Sequence, residues 1–439
     1  MTPEITATEQ SEQALQALQN GDNVLIVGKA GTGKSTLLKT FTDSEYCDDK
    51  TILVVAPTGV AAHNVDGFTI HKAFGFFPGL DPEGVAKGRW KPGARTREVL
   101  HQAEILVVDE VSMTRADLMD MMDLALRRVK KNEEPFGGVQ VILVGDLLQL
   151  PPVITGNEAP FYFAQYNTPF FFGSYAFNRL DCQRFVLNKV WRQEDETFVH
   201  ILNEIREGML SPTSAAILSR CVDPVVPTDW TILTPRRATV ENINNARLSE
   251  LSAQGDVETY VSEASIAGKA DEKGFNGSKT LTLCVGARVM SIINNQDVGY
   301  VNGSFGTITD IRVNSHTGRI INIRVHFDDL EGETVIERHT WKTTKPKLGS
   351  NGKIEHSEEG SITQFPLILA WAVTIHKAQG KTIPHCYIDL SGGMHAEGQA
   401  YVALSRATSL EGLKLSAPLS PYHVFANQEL IYRLHNGGF

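Results

Sequence analysis

Eight consecutive residues, Gly28-Lys29-Ala30-Gly31-Thr32-Gly33-Lys34-Ser35, fit the pattern G-x-x-x-x-G-K-[ST]. Glycines at this spacing let backbone N–H groups turn inward around a phosphate, and a helix start behind them adds positive potential. Residues 24–27 before the loop are an apolar run, and residues 35–41 after it read as a helix. That strand–loop–helix context is what the pattern requires. There Gly28, Gly31, Thr32 and Gly33 would cradle phosphates and Lys34 would reach the β and γ groups. Ser35 would ligate Mg²⁺, with Thr36 beside it on the first helical turn. The chemistry implied is that of ATP with Mg²⁺.

Two carboxylates follow at the end of another apolar run, Val107-Val108-Asp109-Glu110. A D-E pair at a strand end is common by itself. Behind a phosphate-binding loop, Asp109 is placed to hold Mg²⁺ and Glu110 to orient and deprotonate an attacking water. Gln149, in Gly145-Asp146-Leu147-Leu148-Gln149, carries a neutral amide able to sense a γ-phosphate without competing with the metal. Arg406 sits late on an amphipathic helical pattern, and Arg192 follows another apolar stretch. Either could act as a finger that neutralises charge on a transferred phosphoryl group.

These residues need strands to hold them. Residues 24–27, 52–56, 105–108 and 139–144 are short, apolar and mostly β-branched, as fully buried parallel strands are. A helical pattern over 115–129 puts Leu118, Met121, Met122, Ala125 and Leu126 on one face. This predicts a doubly wound α/β domain over residues 1–74 and 98–180, with its ligand site at the strand C-termini. Residues 75–97, rich in Phe, Pro and Gly, read as a compact loop or hairpin inserted into it. A second α/β domain is expected over 181–298 and 364–439, with strands at 185–187, 230–234, 287–293, 367–370, 386–389 and 413–415. Residues 299–363 read as a small antiparallel barrel inserted in that second domain, because 306–313 and 320–327 alternate between glycine turns. Residues 254–279 and 345–360 look mobile.

At 439 residues the chain is too long for one ordinary core. Its 42% hydrophobic and 21% charged content is that of a globular protein, and no apolar run is long enough to span a bilayer. Residues 1–19 are polar, unlike a signal peptide. Five scattered cysteines, without a C-x-x-C pair, suggest free thiols in a reducing compartment, bacterial or phage cytoplasm or another intracellular space. The net charge of −10 argues mildly against a nucleic-acid partner, but an internal cleft could still grip one.

With these segments in order, the chain resembles superfamily 1 DNA helicases of the Pif type, within the group that moves 5′→3′, with RecD-like helicases as relatives. The most specific segments are Phe136-Gly137-Gly138-Val139-Gln140 leading to Gly145 through Val153, and Ala370 through Gly380, including Thr374-Ile375-His376-Lys377-Ala378-Gln379-Gly380. The resemblance implies two RecA-like P-loop NTPase domains, with a small wedge insertion in the first and an SH3-like β-barrel insertion in the second. It assigns adenine reading to Gln10 and a nucleotide-facing turn to Gln379 and Gly380. It assigns contact with DNA to Thr58, Gly59, Val60, His71, Phe74, Arg237, His376 and Lys377. Arg237 stands where the family usually has Asn or another small polar residue, and its added charge favours phosphate.

The activity implied is an ATP-dependent DNA helicase acting on single-stranded and forked or partly duplex DNA, a monomer with a dimer on DNA left open. Three other readings share parts of the motif set. They are a translocase that unwinds duplex poorly, an ATP-dependent switch that grips nucleic acid without cycling, and a small-molecule kinase. Glu110 with two finger arginines speaks against the switch, and a second α/β half speaks against the kinase. The physiological DNA, whether fork, R-loop or quadruplex, is not written in the sequence.

Overall fold

The computed structural model describes residues 8–29, 31–189, 195–227, 230–253, 257–272, 275–295, 298–328, 330–349, 353–379 and 381–436. Its first half is built on six parallel strands: β1 (Val24–Gly28), β2 (Ile52–Ala56), β3 (Phe68–Thr69), β4 (Ile105–Val108), β5 (Gln140–Gly145) and β6 (Gln183–Leu187), in the order β3-β2-β4-β5-β1-β6. β1, β4 and β5 are buried along their whole length, which explains their unbroken apolar sequence. Helix Glu9–Gln19, capped by Thr8, covers one face through Ala14, Ala17 and Leu18. Helix Ala116–Lys130 covers the other through Leu118, Met119, Met122, Ala125 and Leu126.

The expected start of the second domain at 181 is corrected by β6. It pairs with β1 from Val24–Gln183 to Gly28–Leu187, so the first sheet runs to residue 187. The 75–97 insertion is helical and not a hairpin, with turns at Pro82–Ala86 and Ala94–Gln102. Trp90 seals it from inside, 1% exposed, its Nε1 donating to the Phe74 carbonyl at 3.0 Å.

The second RecA-like domain holds a four-stranded parallel sheet ordered Ala372–Thr374, Thr231–Thr234, Cys386–Ile388, Leu413–Leu415. Residues 287–293 and 367–370, expected in that sheet, instead give strands Arg288–Ser291 and Leu367–Leu369 of the inserted barrel. They join Phe305–Val313, Ile320–Phe327 and Thr334–Ile336 in one antiparallel sheet. A continuous apolar run reads alike in a buried barrel strand and a buried parallel one, hence the misplacement. Bulges after Ile308 and Arg312 bend the sheet, and its edge residues Ile336 and Leu367 meet in one core.

Of the segment 345–360, expected to be mobile, residues 345–348 and 354–360 belong to two long paired strands, His339–Leu348 and Ile354–Gln364, and residues 350–352 lie outside the described residues. Ser265–Gly268, from the other segment expected to be mobile, adds a third strand. The hairpin leans on the first domain, where the His356 ring stacks on Phe68 at a 4.2 Å centroid distance. The charged residues of its described strands reflect a ribbon with much exposed surface. The last helix, Gln428–Asn436, returns to the first domain, whose core takes Leu430. All five cysteines are free, and no described helix is long and apolar enough to cross a membrane.

Candidate functional site

β1 ends at Gly28, and the loop turns there because nothing larger fits. A Cβ on Gly28 would lie 2.5 Å from Thr32 Oγ1 and 3.0 Å from the Leu187 carbonyl. Gly31 and Gly33 take φ of +78° and +86°, open to glycine without penalty. Thr32 Oγ1 donates to the Lys29 carbonyl at 2.9 Å and locks the turn. Helix Lys34–Thr42 follows, with Ser35 and Thr36 exposed on its first turn. Lys34 Nζ donates to the carbonyls of Gly28 (2.8 Å) and Lys29 (2.9 Å). Burial pushes the Lys34 ammonium below its ordinary value, against the pull of Asp146, Glu110 and Asp109.

β4 delivers Asp109 and Glu110 to the same end of the sheet. Burial raises the Asp109 carboxyl. Burial, then the neighbouring Asp109 charge, pushes Glu110 up to about 7. Glu110 also sits at φ +49°, ψ +44°, a left-handed conformation that costs a non-glycine residue about 1 kcal/mol or more. A glycine cradle, a half-buried lysine, an exposed Ser35 hydroxyl and an acidic pair suit a magnesium triphosphate. No cluster of three metal-ligating side chains exists among the described residues. Magnesium held by one or two protein oxygens plus phosphates matches that donor set.

The second domain closes over this end through side chains that meet across the seam. Asp146, one residue past β5 and 1% exposed, accepts from Arg206 Nη2 at 2.9 Å. Its other oxygen accepts from Gln149 Nε2 at 3.1 Å. Gln149 Oε1 in turn accepts from Gln379 Nε2 of the second domain at 2.9 Å. Lys29 Nζ donates to Asn203 Oδ1 at 2.5 Å, one helical turn before Arg206. Burial works to raise the Asp146 carboxyl, but Arg206 and Lys34 outweigh it and hold it low. Asp146 was visible in the 145–149 motif. Arg206 was not, since a cation in a helix's last turn is ordinary.

Arg406 is fully buried. Its guanidinium donates to the carbonyls of Val402 (2.8 Å), Lys381 (3.0 Å) and Ala378 (3.3 Å), and to Ser405 Oγ (2.7 Å). It braces the turn after Ala378 and lies near enough to draw the Glu110 carboxyl downward. Arg192 and Gly380 fall outside the described residues. Gln10 stands exposed on the first turn of its helix.

A separate cleft of about 430 Å³ runs between Gly59, Thr69 and Lys72 of the first domain and Phe275, Trp341 and His356 of the second. Another of about 380 Å³ shares Phe275 and Asn276 with it and reaches Arg237, Thr374 and Lys377. Of the expected DNA contacts, Gly59 lines the first cleft and Arg237 and Lys377 line the second, and Phe275 and Asn276 stand between the two. Thr58 Oγ1 caps the helix Gly59–Asn64, which contains Val60, by accepting from Ala61 N at 3.2 Å. His71 and His376 are exposed beside Lys72 and Lys377. Phe74 is a correction: it is 0% exposed, stacked on Phe76 and packed in the first core, so it presents no ring to a base. The exposed aromatic of that segment is Phe77, 47% exposed.

Residues 7–215 match the family model of PIF1-like helicases. The chain is 35% identical to the human ATP-dependent DNA helicase PIF1 over 93% of its own length and 60% of the relative's. It is 30% identical to Pif1 of Bdellovibrio bacteriovorus over 94% of its own length and 88% of the relative's. It spans 58% of the Emericella nidulans PIF1 helicase and 63% of the Danio rerio one, less than two thirds of either. Unliganded Pif1 from Bacteroides sp. superposes with a TM-score of 0.83 at 35% identity, covering 98% of this chain and 97% of that one. Bacteroides Pif1 bound to single-stranded DNA gives 0.70 at the same identity, covering 98% and 97%. Motifs, fold and matched length agree that the chain belongs to the PIF1-like helicase family.

Proposed function

We propose that this chain is an ATP-dependent DNA helicase that moves 5′→3′ along single-stranded DNA and opens duplex or folded DNA ahead of it. The observation that carries the reading is the seam. The phosphate-binding loop, the Gln149–Gln379 bond and the cleft between Gly59 and Trp341 all lie where the two domains meet, and the cleft of Arg237 and Lys377 adjoins that one through Phe275 and Asn276. A change of fit at the nucleotide must then change the grip on the strand, which is the differential affinity a motor needs. The relatives named ATP-dependent DNA helicases support it, as do the structures of Bacteroides Pif1 in complex with ADP-AlF4 and bound to single-stranded DNA.

In this reading Lys34, Gly28, Gly31, Thr32 and Gly33 bind the phosphates, with Thr36 on the adjoining turn. Ser35 and Asp109 would hold Mg²⁺, which screens the phosphate charge. Gln10 and Gln379, with Gly380, flank the base and the seam. Glu110 takes a proton from water onto its carboxylate, Gln149 reads the terminal phosphate, and Arg192 and Arg406 balance charge from the second domain. Thr58, Gly59, Val60, His71, Arg237, His376 and Lys377 touch the strand, largely through phosphates, so sequence matters little. The inserted barrel and its hairpin guide the strand, and residues 75–97 form the wedge. The working unit is a monomer, and a similar structure of two coordinating Pif1 helicases at forked double-stranded DNA makes a pair on a fork a fair test. The free thiols, with relatives in bacteria, support a reducing intracellular setting.

The test is strand separation with ATP on partial duplexes carrying a 5′ or a 3′ tail. Unwinding of the 5′-tailed substrate alone is expected, and Lys34→Ala should abolish it while single-strand binding persists. Unwinding only from a 3′ tail would reverse the polarity. Fast DNA-stimulated ATP turnover without strand separation would leave a translocase.

A further inference from the structure

Helix Glu196–Arg206 sinks Phe198, Ile201, Leu202 and Ile205 into the second domain's core, and this anchoring fixes the aim of its last residue. Arg206 is only 7% exposed, and its Nη2 reaches across the seam to Asp146. Its Nε is also buried and has no hydrogen-bond partner among the described residues. Asn203, one turn earlier, holds Lys29 of the loop. One rigid helix thus touches the phosphate-binding loop and the carboxylate behind it at the same time.

Asp146 collects donors from both domains. Besides Arg206 and Gln149 it accepts from the Leu148 amide at 3.3 Å. Among the charges acting on Lys34 it is the strongest that favours the ammonium. A nucleoside triphosphate brings several negative charges to this place. A buried carboxylate without its own cation would oppose them, and in a medium of low effective dielectric that opposition is large. Arg206 removes it, and Arg206 belongs to the other domain. Lys34 supplies part of the cancellation from within the first domain, but the larger part exists only while the helix is docked.

Resting on the ATP-site reading above, we propose that Arg206 is a positioning residue for nucleotide binding. By neutralising Asp146 from across the seam, it makes the loop's affinity for a nucleoside triphosphate depend on docking of the second domain.

The test uses the full chain, steady-state ATPase kinetics and equilibrium binding of a fluorescent ATP analogue. Arg206→Met keeps the apolar stem and loses the charge. It should raise KM and the analogue's Kd at least tenfold, a change worth about 1.4 kcal/mol, with kcat within about threefold of wild type. Arg206→Lys should lie between. Adding Asp146→Asn to Arg206→Met removes the unpaired carboxylate while leaving an acceptor for Gln149. It should bring KM back to within about threefold of wild type, a rescue that a merely structural role would not produce. If Arg206→Met melts cooperatively yet binds the analogue as wild type does, or if the double variant stays as weak as the single one, the proposal is overturned. Lys34→Ala separates the two readings. Normal turnover in that variant removes the ATP site and this inference with it, whereas an inactive Lys34→Ala beside unaffected Arg206 variants removes only the inference.

Discussion

Gln379 donates its amide across the domain seam to Gln149 at 2.9 Å, joining residues 230 positions apart beside the phosphate-binding loop. Gln149 passes the contact on to Asp146, so a single amide reads both the other domain and the strand end. A neutral hydrogen bond is worth about 1 kcal/mol net, or roughly fivefold in an equilibrium. Gln379→Ala should therefore weaken coupling without destroying the site. The expected result is a three- to tenfold loss in the stimulation of ATPase by single-stranded DNA, with unstimulated turnover changed less. Equal loss in both rates would mean that the bond serves the chemistry and not the coupling.

Glu110 titrates near neutrality, and two consequences have opposite signs. As a base it must be ionised, so kcat/KM for ATP should fall as pH drops through about 7. Glu110→Gln should lower kcat at least a hundredfold and erase that acid limb. For stability, the folded-state value lies above the ordinary 4.5, so the folded chain binds more protons than the unfolded one between those limits. The ionised carboxylate therefore opposes folding above pH 7, and the cost fades as pH falls toward 4.5. Glu110→Gln should raise the melting temperature at pH 8 and leave it nearly unchanged at pH 5. A variant that melts lower at pH 8 would show that the charge is compensated in the fold.

The helix Gln399–Leu404, ahead of Arg406, begins at Gly398 with φ +71°. A Cβ there would fall 2.4 Å from the Leu148 carbonyl and 2.7 Å from that of Gln149, both backbone atoms of the other domain. Neither can retreat without moving β5's exit, and Leu150 just beyond is already locked in the second domain's core. Gly398→Ala should push the lobes apart, and the left-handed conformation adds about 1–2 kcal/mol. A melting temperature lower by several degrees and a raised KM for ATP are expected. Unchanged KM with lowered stability would confine the effect to the turn.

Strand periodicity and the loop pattern made most of the first domain legible, since a buried parallel sheet writes itself as short apolar runs. The strands at 52–56 and 105–108 begin and end where the sequence places them. The same logic failed for 287–293 and 367–370, because an apolar run does not say which sheet it joins. At the site, Lys34, Glu110 and Gln149 were readable from motifs that constrain chemistry locally. Arg206 and Gly398 were not, for their importance comes only from what faces them across the seam. Phe74 was misread because an aromatic near a DNA motif and an aromatic in a core share one letter.

That misreading yields a discriminating pair. Phe74 is wholly buried against Phe76, and its carbonyl also holds Trp90, while Phe77, three positions on, is 47% exposed. Truncating a buried phenylalanine typically costs about 3–5 kcal/mol through lost transfer energy and the cavity left behind. Phe74→Ala should lower the denaturation midpoint sharply and weaken DNA binding only as far as the fold is lost. Phe77→Ala should change stability by no more than about 0.5 kcal/mol, as surface substitutions do. If Phe77 is the ring that meets a base, its loss should weaken single-strand affinity by about 1–3 kcal/mol, measured by fluorescence anisotropy at fixed salt. Affinity unchanged in Phe77→Ala would leave stacking to the aromatics of the cleft, Trp341 and Phe275, which meet edge to face at 5.0 Å.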